Sequence, residues 1–228
     1  SYQVMEFCGD GAGTLSVEDR MVLCNLAVEA GAKTAIFEPD DIALQWLDKR
    51  GRKPKAVFKS DEDARYVKEY TFDLDQIRPV AARPDFVDDV APVEEVLGTR
   101  IDEAFLGSCN NGRIDDLRVG AAIVKGRKVS DHVRFLVVPA SRQVYLQALE
   151  EGLIQIFMES GAIVMNPNCS VCWGSCQGVI GEGEVLISTG TRNFKGRAGH
   201  PSSKVYLGSA ATVAASAVKG EICTADML

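Results

Sequence analysis

Three short stretches hold most of the residues whose types and spacing suit chemistry. The first, Ser108-Cys109-Asn110-Asn111-Gly112-Arg113, supplies one thiol. The second, running from Asn166 to Gly174, supplies two in a C-x-x-C, Cys169 and Cys172, with Cys176 four residues further on. The third, running from Thr189 to Arg197, supplies two guanidinium groups, Arg192 and Arg197. Thiolates bind soft metal centres such as zinc and iron–sulfur clusters. Three thiolates with a fourth position unfilled suit a cluster that leaves one metal open to substrate. Paired arginines suit bidentate capture of carboxylates. Together they describe a site that handles a polycarboxylic acid at a Lewis-acidic metal. Taken singly, each has a plainer reading. A C-x-x-C also serves structural zinc or thiol redox chemistry, a thiol at a strand end is often a small buried residue, and two spaced arginines often form a solvated loop face.

The elements that must position these stretches follow from the apolar pattern. In the second half of the chain, strands alternate with helices. Glu103–Gly107 reads as a strand and 114–125 as a helix; 133–138 as a strand, then helices over 141–150 and near 153–160. Residues 162–165 and 184–188 read as strands and 209–219 as an Ala-rich helix. Such alternation implies parallel βαβ units in an open α/β sheet, and open sheets place ligands beyond the C-terminal ends of their strands. All three chemical stretches follow strands. In the first half, Ser16 and Asp19 cap a helix over 16–30 that Gly31 ends. Residues 33–37 read as a strand, 41–50 as a helix capped by Asp40, and 56–59 and 70–77 as strands, the last with Phe72 and Leu74 alternating. The stretch 78–92 carries Pro79, Pro84 and Pro92 and reads as a boundary, giving expected domains of 1–83 and 84–228.

Composition bounds the partners. With 25 basic and 32 acidic residues the net charge is -7, so the chain lacks the global field of a nucleic-acid or anionic-membrane binder. No apolar run approaches the roughly 18 residues of a membrane span. Ser1 to Cys8 carries neither a basic region nor a long apolar core, so no signal peptide is expected and the expected location is cytoplasmic. Seven cysteines, an odd number in a cytosol-like chain, argue against a disulfide framework. Cys24 and Cys223 read as packing thiols.

The motifs have a family resemblance. Gly107-Ser108-Cys109-Asn110-Asn111-Gly112-Arg113 resembles the G-S-C-T-N-G-R of the aconitase superfamily. Asn166-Pro167-Asn168-Cys169-Ser170-Val171-Cys172 resembles its N-P-x-C-x-x-C, and Arg192-Asn193-Phe194-Lys195-Gly196-Arg197 its R-N-F-x-G-R. Leu15 to Met21, with Asn25 and Ala27 to Lys33, resembles its L-S-M-x-x-R-M…N-M-A-I-E-A-G-A-K segment. These lie in order over about residues 6 to 220. Within the superfamily the chain is most similar to large subunits of the isopropylmalate dehydratase and homoaconitase branch.

The resemblance implies an aconitase-like fold of three-layer α/β/α units with mostly parallel sheets. It implies that Cys109, Cys169 and Cys172 ligate a [4Fe-4S] cluster whose fourth iron meets substrate and water, and that a preparation made in air loses that cluster. Arg192 and Arg197 match arginines that hold substrate carboxylates, the substrate being a di- or tricarboxylate hydroxy acid. Asn25 and Glu29 match active-site residues; their i,i+4 spacing on a continuous helix would put them on one face. Cys176 matches no ligand, and His132 and His200 fall outside the motifs. The expected activity is a hydro-lyase that isomerises its substrate by dehydration and rehydration, with a separate small subunit as partner and source of the catalytic serine base. Two departures blur the substrate: Thr191 stands where the family has Asn, and Asn110 where it has Thr. The family's D-S-H-T region has no match in these residues, so the chain is expected to correspond to the C-terminal part of a longer subunit and to be inactive alone. The competing readings are a structural zinc module built on Cys169, Cys172 and Cys176 or Cys109, and a thiol oxidoreductase, disfavoured because Trp173, Gly174 and Gly178 make a poor helix start after the C-x-x-C.

Overall fold

The computed structural model describes residues 2–228. It divides between Arg78 and Pro79 into two units. The break falls earlier than the expected one after residue 83, because Val80–Ala82 forms a strand in the larger unit's sheet.

The first unit is built on one βαβ element. Strand β1 (Val4–Phe7) leads to helix α1 (Val17–Leu26) and then to strand β2 (Thr34–Phe37), which pairs with β1 in parallel from Val4↔Thr34 to Phe7↔Phe37. A complete capping box starts α1. The Ser16 hydroxyl accepts from the Asp19 N–H at 3.1 Å, and the Asp19 carboxylate accepts from the Ser16 N–H at 3.1 Å. The helix ends at Leu26, short of the expected 30, in tighter turns in which the Glu29 N–H donates to the Leu26 carbonyl and the Gly31 N–H to Val28. Helix α2 (Asp41–Asp48) is capped by Asp40, which accepts from the Ala43 N–H at 2.9 Å. The same Asp40 forms a bidentate pair with the buried Arg20 of α1, at 2.9 and 2.7 Å, tying the two helices together. That guanidinium holds the Asp40 carboxyl down at about 2.

The strands expected at 56–59 and 70–77 do not form. Among the described residues, 49–78 contain only a short 3-10 turn at Leu74–Gln76. An alternating pattern makes a strand only where a sheet edge receives it. Here Phe58 and Phe72 stay exposed, and Phe72 stacks instead on Tyr70.

The second unit carries a seven-stranded sheet. Its strands are β3 (Val80–Ala82), β4 (Val90–Pro92), β5 (Glu103–Gly107), β6 (Arg134–Val138), β7 (Ile163–Val164), β8 (Val185–Ser188) and β9 (Lys204–Leu207), in the order β4-β3-β9-β8-β5-β6-β7. The five strands from β9 to β7 run parallel; β3 and β4 are antiparallel at one edge. Pro92 sits on the edge strand, where its missing N–H costs the ladder nothing. Helices α3 (Ile114–Val124), α4 (Arg142–Glu150), α5 (Leu153–Ser160) and α6 (Ala210–Lys219) form within a residue or two of the expected spans. The class is mixed α/β with a mostly parallel sheet.

The two faces of this sheet are covered differently. Ala104, Leu106, Phe135, Val137 and Ile187 share one core with residues of α3 to α6. Phe105, Leu136, Val138, Leu186 and Val205, on the other face, pack against Val171, Ile180 and Ala198. Those last three belong to the segments that carry the Cys169–Cys172 pair and the arginines, so these segments pack over the centre of this face of the sheet.

Candidate functional site

Because β5, β7 and β8 are parallel, the segments that follow them leave from the same end of the sheet, beyond the C-terminal ends of the strands. Hydrogen bonds then join them. Thr189, at the end of β8, accepts from the Gly107 N–H at 3.0 Å and donates its hydroxyl to the Gly107 carbonyl at 2.8 Å. The Asn111 side-chain amide donates back to the Thr189 carbonyl. The Arg197 Nε donates to the Cys172 carbonyl at 2.9 Å. Gly174 adopts φ +71°, and a Cβ there would come within 2.1 Å of the Arg197 carbonyl oxygen. The Cys109 segment is thus fastened to the arginine segment, and the arginine segment to the segment of Cys169 and Cys172.

The arginine segment is itself anchored. Asn193 is buried, and its Nδ2 lies 2.6 Å from the Arg83 carbonyl and 3.2 Å from that of Phe86. This explains the Asn between Arg192 and Phe194. Thr191, the departure noted above, is buried and its hydroxyl accepts from the Arg192 Nη1 at 2.7 Å, so it orients that guanidinium. Arg192 and Arg197 are both half-buried, a setting in which a guanidinium gains from pairing with a carboxylate.

All seven cysteines are free thiols. Cys109 and Cys169 are exposed and Cys172 half-buried. Cys169 and Cys172 bracket a single 3-10 turn, Ser170–Cys172, and no α-helix opens there, so no helix dipole activates either thiol in the manner of a redox C-x-x-C. Cys176 is exposed, with its Sγ 3.4 Å from the Ser170 carbonyl and 3.7 Å from the Asn168 Oδ1. Among the described residues no three of the His, Cys, Asp and Glu side chains are gathered tightly enough to hold a metal ion. The donors suit a soft iron centre in chemistry, being three free thiols on fastened segments at one end of the sheet. Cys24 packs on the small first-unit core and Cys223 is buried; burial pushes both thiols up, which marks them as packing residues.

Asn25 and Glu29 lie in the first unit and are half-buried. Asn25 is on α1, whereas Glu29 lies in the turn beyond it, so the two do not share one continuous helix as expected. The helix ends too early because tight turns lead into Gly31 at φ +84°. This unit also holds an open cleft of about 440 Å³ at the ends of β1 and β2, lined by Phe7, Cys8, Asp10, Arg20, Glu38 and Asp40. His132 and His200 are exposed and make local bonds to Ser130 and Ser202.

Thr189, Asn111 and Asn193 were not singled out from the sequence. Their signal was a polar residue inside a motif with no chemistry of its own, which in the folded chain fastens one segment to the next. A fourth residue, Glu103, gave no signal because it reads as the polar start of a strand.

Fold and loops together define an open-sheet α/β protein with thiols and guanidinium groups at the strand ends. The chain belongs to the aconitase family. The profile of the "Aconitase family (aconitate hydratase)" matches residues 2–100 and 94–220. A probable 3-isopropylmalate dehydratase large subunit of Methanothermobacter thermautotrophicus is 54% identical over 97% of this chain and 53% of its own length. The 3-isopropylmalate dehydratase large subunit 2 of Archaeoglobus fulgidus is 50% identical over 97% of this chain and 54% of its own. A probable methanogen homoaconitase large subunit of Methanothermobacter thermautotrophicus is 49% identical, covering 97% and 52%. The chain spans about half the length of these curated relatives. No helix of the described residues is long and apolar enough to cross a membrane.

Proposed function

We propose that this chain carries the cluster-binding and arginine-bearing part of the large subunit of a [4Fe-4S] hydro-lyase. The enzyme would interconvert 2-isopropylmalate and 3-isopropylmalate by dehydration and rehydration, in leucine biosynthesis in the cytoplasm. The observation that carries this reading is the fastening of the Cys109, Cys172 and Arg197 segments beyond the C-terminal ends of the strands, through Thr189 and through the bond from Arg197 to the Cys172 carbonyl.

Cys109, Cys169 and Cys172 would hold the cluster. When bound, it supplies a Lewis-acidic iron with one open coordination position. Arg192 and Arg197 would each grip a substrate carboxylate and so fix which carbon faces the proton-abstracting base. That base, a serine, is expected from the small subunit. Glu29 is proposed to interact with the departing hydroxyl and Asn25 to stand beside it; these two roles rest on the resemblance.

The test is anaerobic reconstitution with iron and sulfide. Broad visible absorption near about 400 nm is expected, and Cys109→Ala should lose most of it. Stoichiometric zinc without iron retention would overturn the reading in favour of a structural zinc site. A homoaconitase activity is the second reading, supported by the 49% identical relative. Turnover of isopropylmalate against homoaconitate, by the large subunit assembled with its small subunit, separates the two.

A further inference from the structure

The underside of the cysteine segment holds a charged ladder that no role above uses. Glu103 starts β5 and points to the same face as Phe105, the face that the cysteine segment covers. It is fully buried. Its Oε2 accepts from the Arg134 Nε at 2.9 Å, and Arg134 stands directly opposite it on β6. The Arg134 guanidinium then pairs twice with Glu184, at 2.8 and 2.7 Å, and the Glu184 carboxylate takes the Gly181 N–H at 2.7 Å. The ladder therefore crosses from β6 and β5 into residues 178–184, the limb by which the cysteine segment returns to β8.

Two details show how closely that limb is held. Gly178 has φ +79°, and a Cβ there would stand 2.2 Å from the Leu136 Cδ1, 3.3 Å from the Ser170 Oγ and 3.7 Å from the Glu103 Oε1. The backbone is thus pressed onto the sheet beside the buried carboxyl. Ser170, between Cys169 and Cys172, is fully buried, and its hydroxyl donates to the Gln177 carbonyl at 2.8 Å, joining the thiol turn to the limb. The Glu103 Oε1 is buried and accepts no hydrogen bond among the described residues. An unpaired buried carboxyl oxygen costs stability, and its other oxygen is tied to Arg134.

We propose that Glu103, acting through Arg134 and Glu184, is a positioning residue for the cysteine segment: it fixes the limb at Gly178 to Glu184 and thereby the turn that presents Cys169 and Cys172. The importance of that turn rests on the cluster reading; the positioning itself does not.

The experiment is alkylation of the reduced, metal-free protein by iodoacetamide, read cysteine by cysteine by mass spectrometry. In Glu103→Leu, Cys172 should react about fivefold faster than in the native chain, as local opening of its turn requires. Cys24, in the other unit, is the internal reference and should not change. Glu103→Gln, which keeps an acceptor for Arg134, should restore a rate within about twofold of native. An unchanged Cys172 rate in a folded Glu103→Leu protein overturns the proposal. Should that variant fail to fold, Glu184→Gln, which removes only the surface end of the ladder, decides by the same readout. Iron retention by the native chain after anaerobic reconstitution is measured separately: its absence sinks the cluster reading and leaves the thiol result standing.

Discussion

The Nε of Arg197 donates to the backbone carbonyl of Cys172 at 2.9 Å. One side chain of the arginine segment is therefore bonded to the thiol turn through its Nε. Arg197→Lys keeps the charge but removes both the Nε–H and the fork. The expected result in the assembled enzyme is a rise in KM of tenfold or more, about 1.5 to 3 kcal/mol for a lost charged hydrogen bond. Cys172 should also become more reactive in the metal-free protein. A KM change with unaltered thiol reactivity would show that Arg197 does not hold the turn.

Gly174 tests the same contact from the other side. Its φ of +71° and the 2.1 Å approach of a Cβ to the Arg197 carbonyl leave no room for a side chain. Gly174→Ala should destabilise the second unit by about 1 to 3 kcal/mol, from left-handed strain plus overpacking. Denaturant unfolding followed by tryptophan emission of Trp173 measures this. A change under about 0.5 kcal/mol, the scale of an ordinary surface substitution, would mean the two segments are not in contact in solution.

Much of this arrangement was legible in the sequence, for identifiable reasons. The strands Glu103–Gly107 and Arg134–Val138 are apolar runs after a charged first residue, flanked by helical periods, and they formed as expected. Ser16 and Asp19 are a cap whose chemistry is local, and it closed as expected. Strands whose identity depends on distant partners were not legible. Lys204–Leu207 became a strand because Val185–Ser188 lies beside it, while the better-patterned 70–77 stayed open for lack of an edge. At the site, cysteines and arginines announced themselves by type. Thr189, Asn193 and Glu103 did not, because their value lies in what they reach across the fold.

Glu103 should leave a pH signature. Its carboxyl is pushed up to about 7, chiefly by burial, with Arg134 opposing and Glu184 adding to the shift. The ordinary value of 4.5 applies once the chain unfolds. A carboxyl raised in the folded state is stabilising while neutral, so its contribution is full below about 4.5 and is lost as pH rises through about 7. The loss amounts to roughly 3 kcal/mol at most. Stability measured at pH 5 and at pH 8 should therefore fall in the native chain and fall much less in Glu103→Gln. Parallel pH profiles for the two proteins would place the Glu103 titration elsewhere.

Cys176 discriminates between the metal readings. A structural zinc site needs four nitrogen or sulfur ligands, and the C-x-x-C supplies only two. Cys176 is the nearest further thiol in sequence, yet its Sγ faces the Ser170 carbonyl at 3.4 Å and the Asn168 Oδ1 at 3.7 Å. Those contacts turn the sulfur toward two oxygens of its own segment, and a zinc site would have to give them up. Cys176→Ala should therefore leave iron and sulfide incorporation within about twofold of native, whereas on the cluster reading Cys172→Ala should lose it at least about tenfold, no less than loss of an outer-shell partner costs. Iron and labile sulfide per chain, determined after anaerobic reconstitution, give both numbers from one preparation. Equal losses in the two variants would make Cys176 a ligand and would replace the set Cys109, Cys169 and Cys172 with one that includes it.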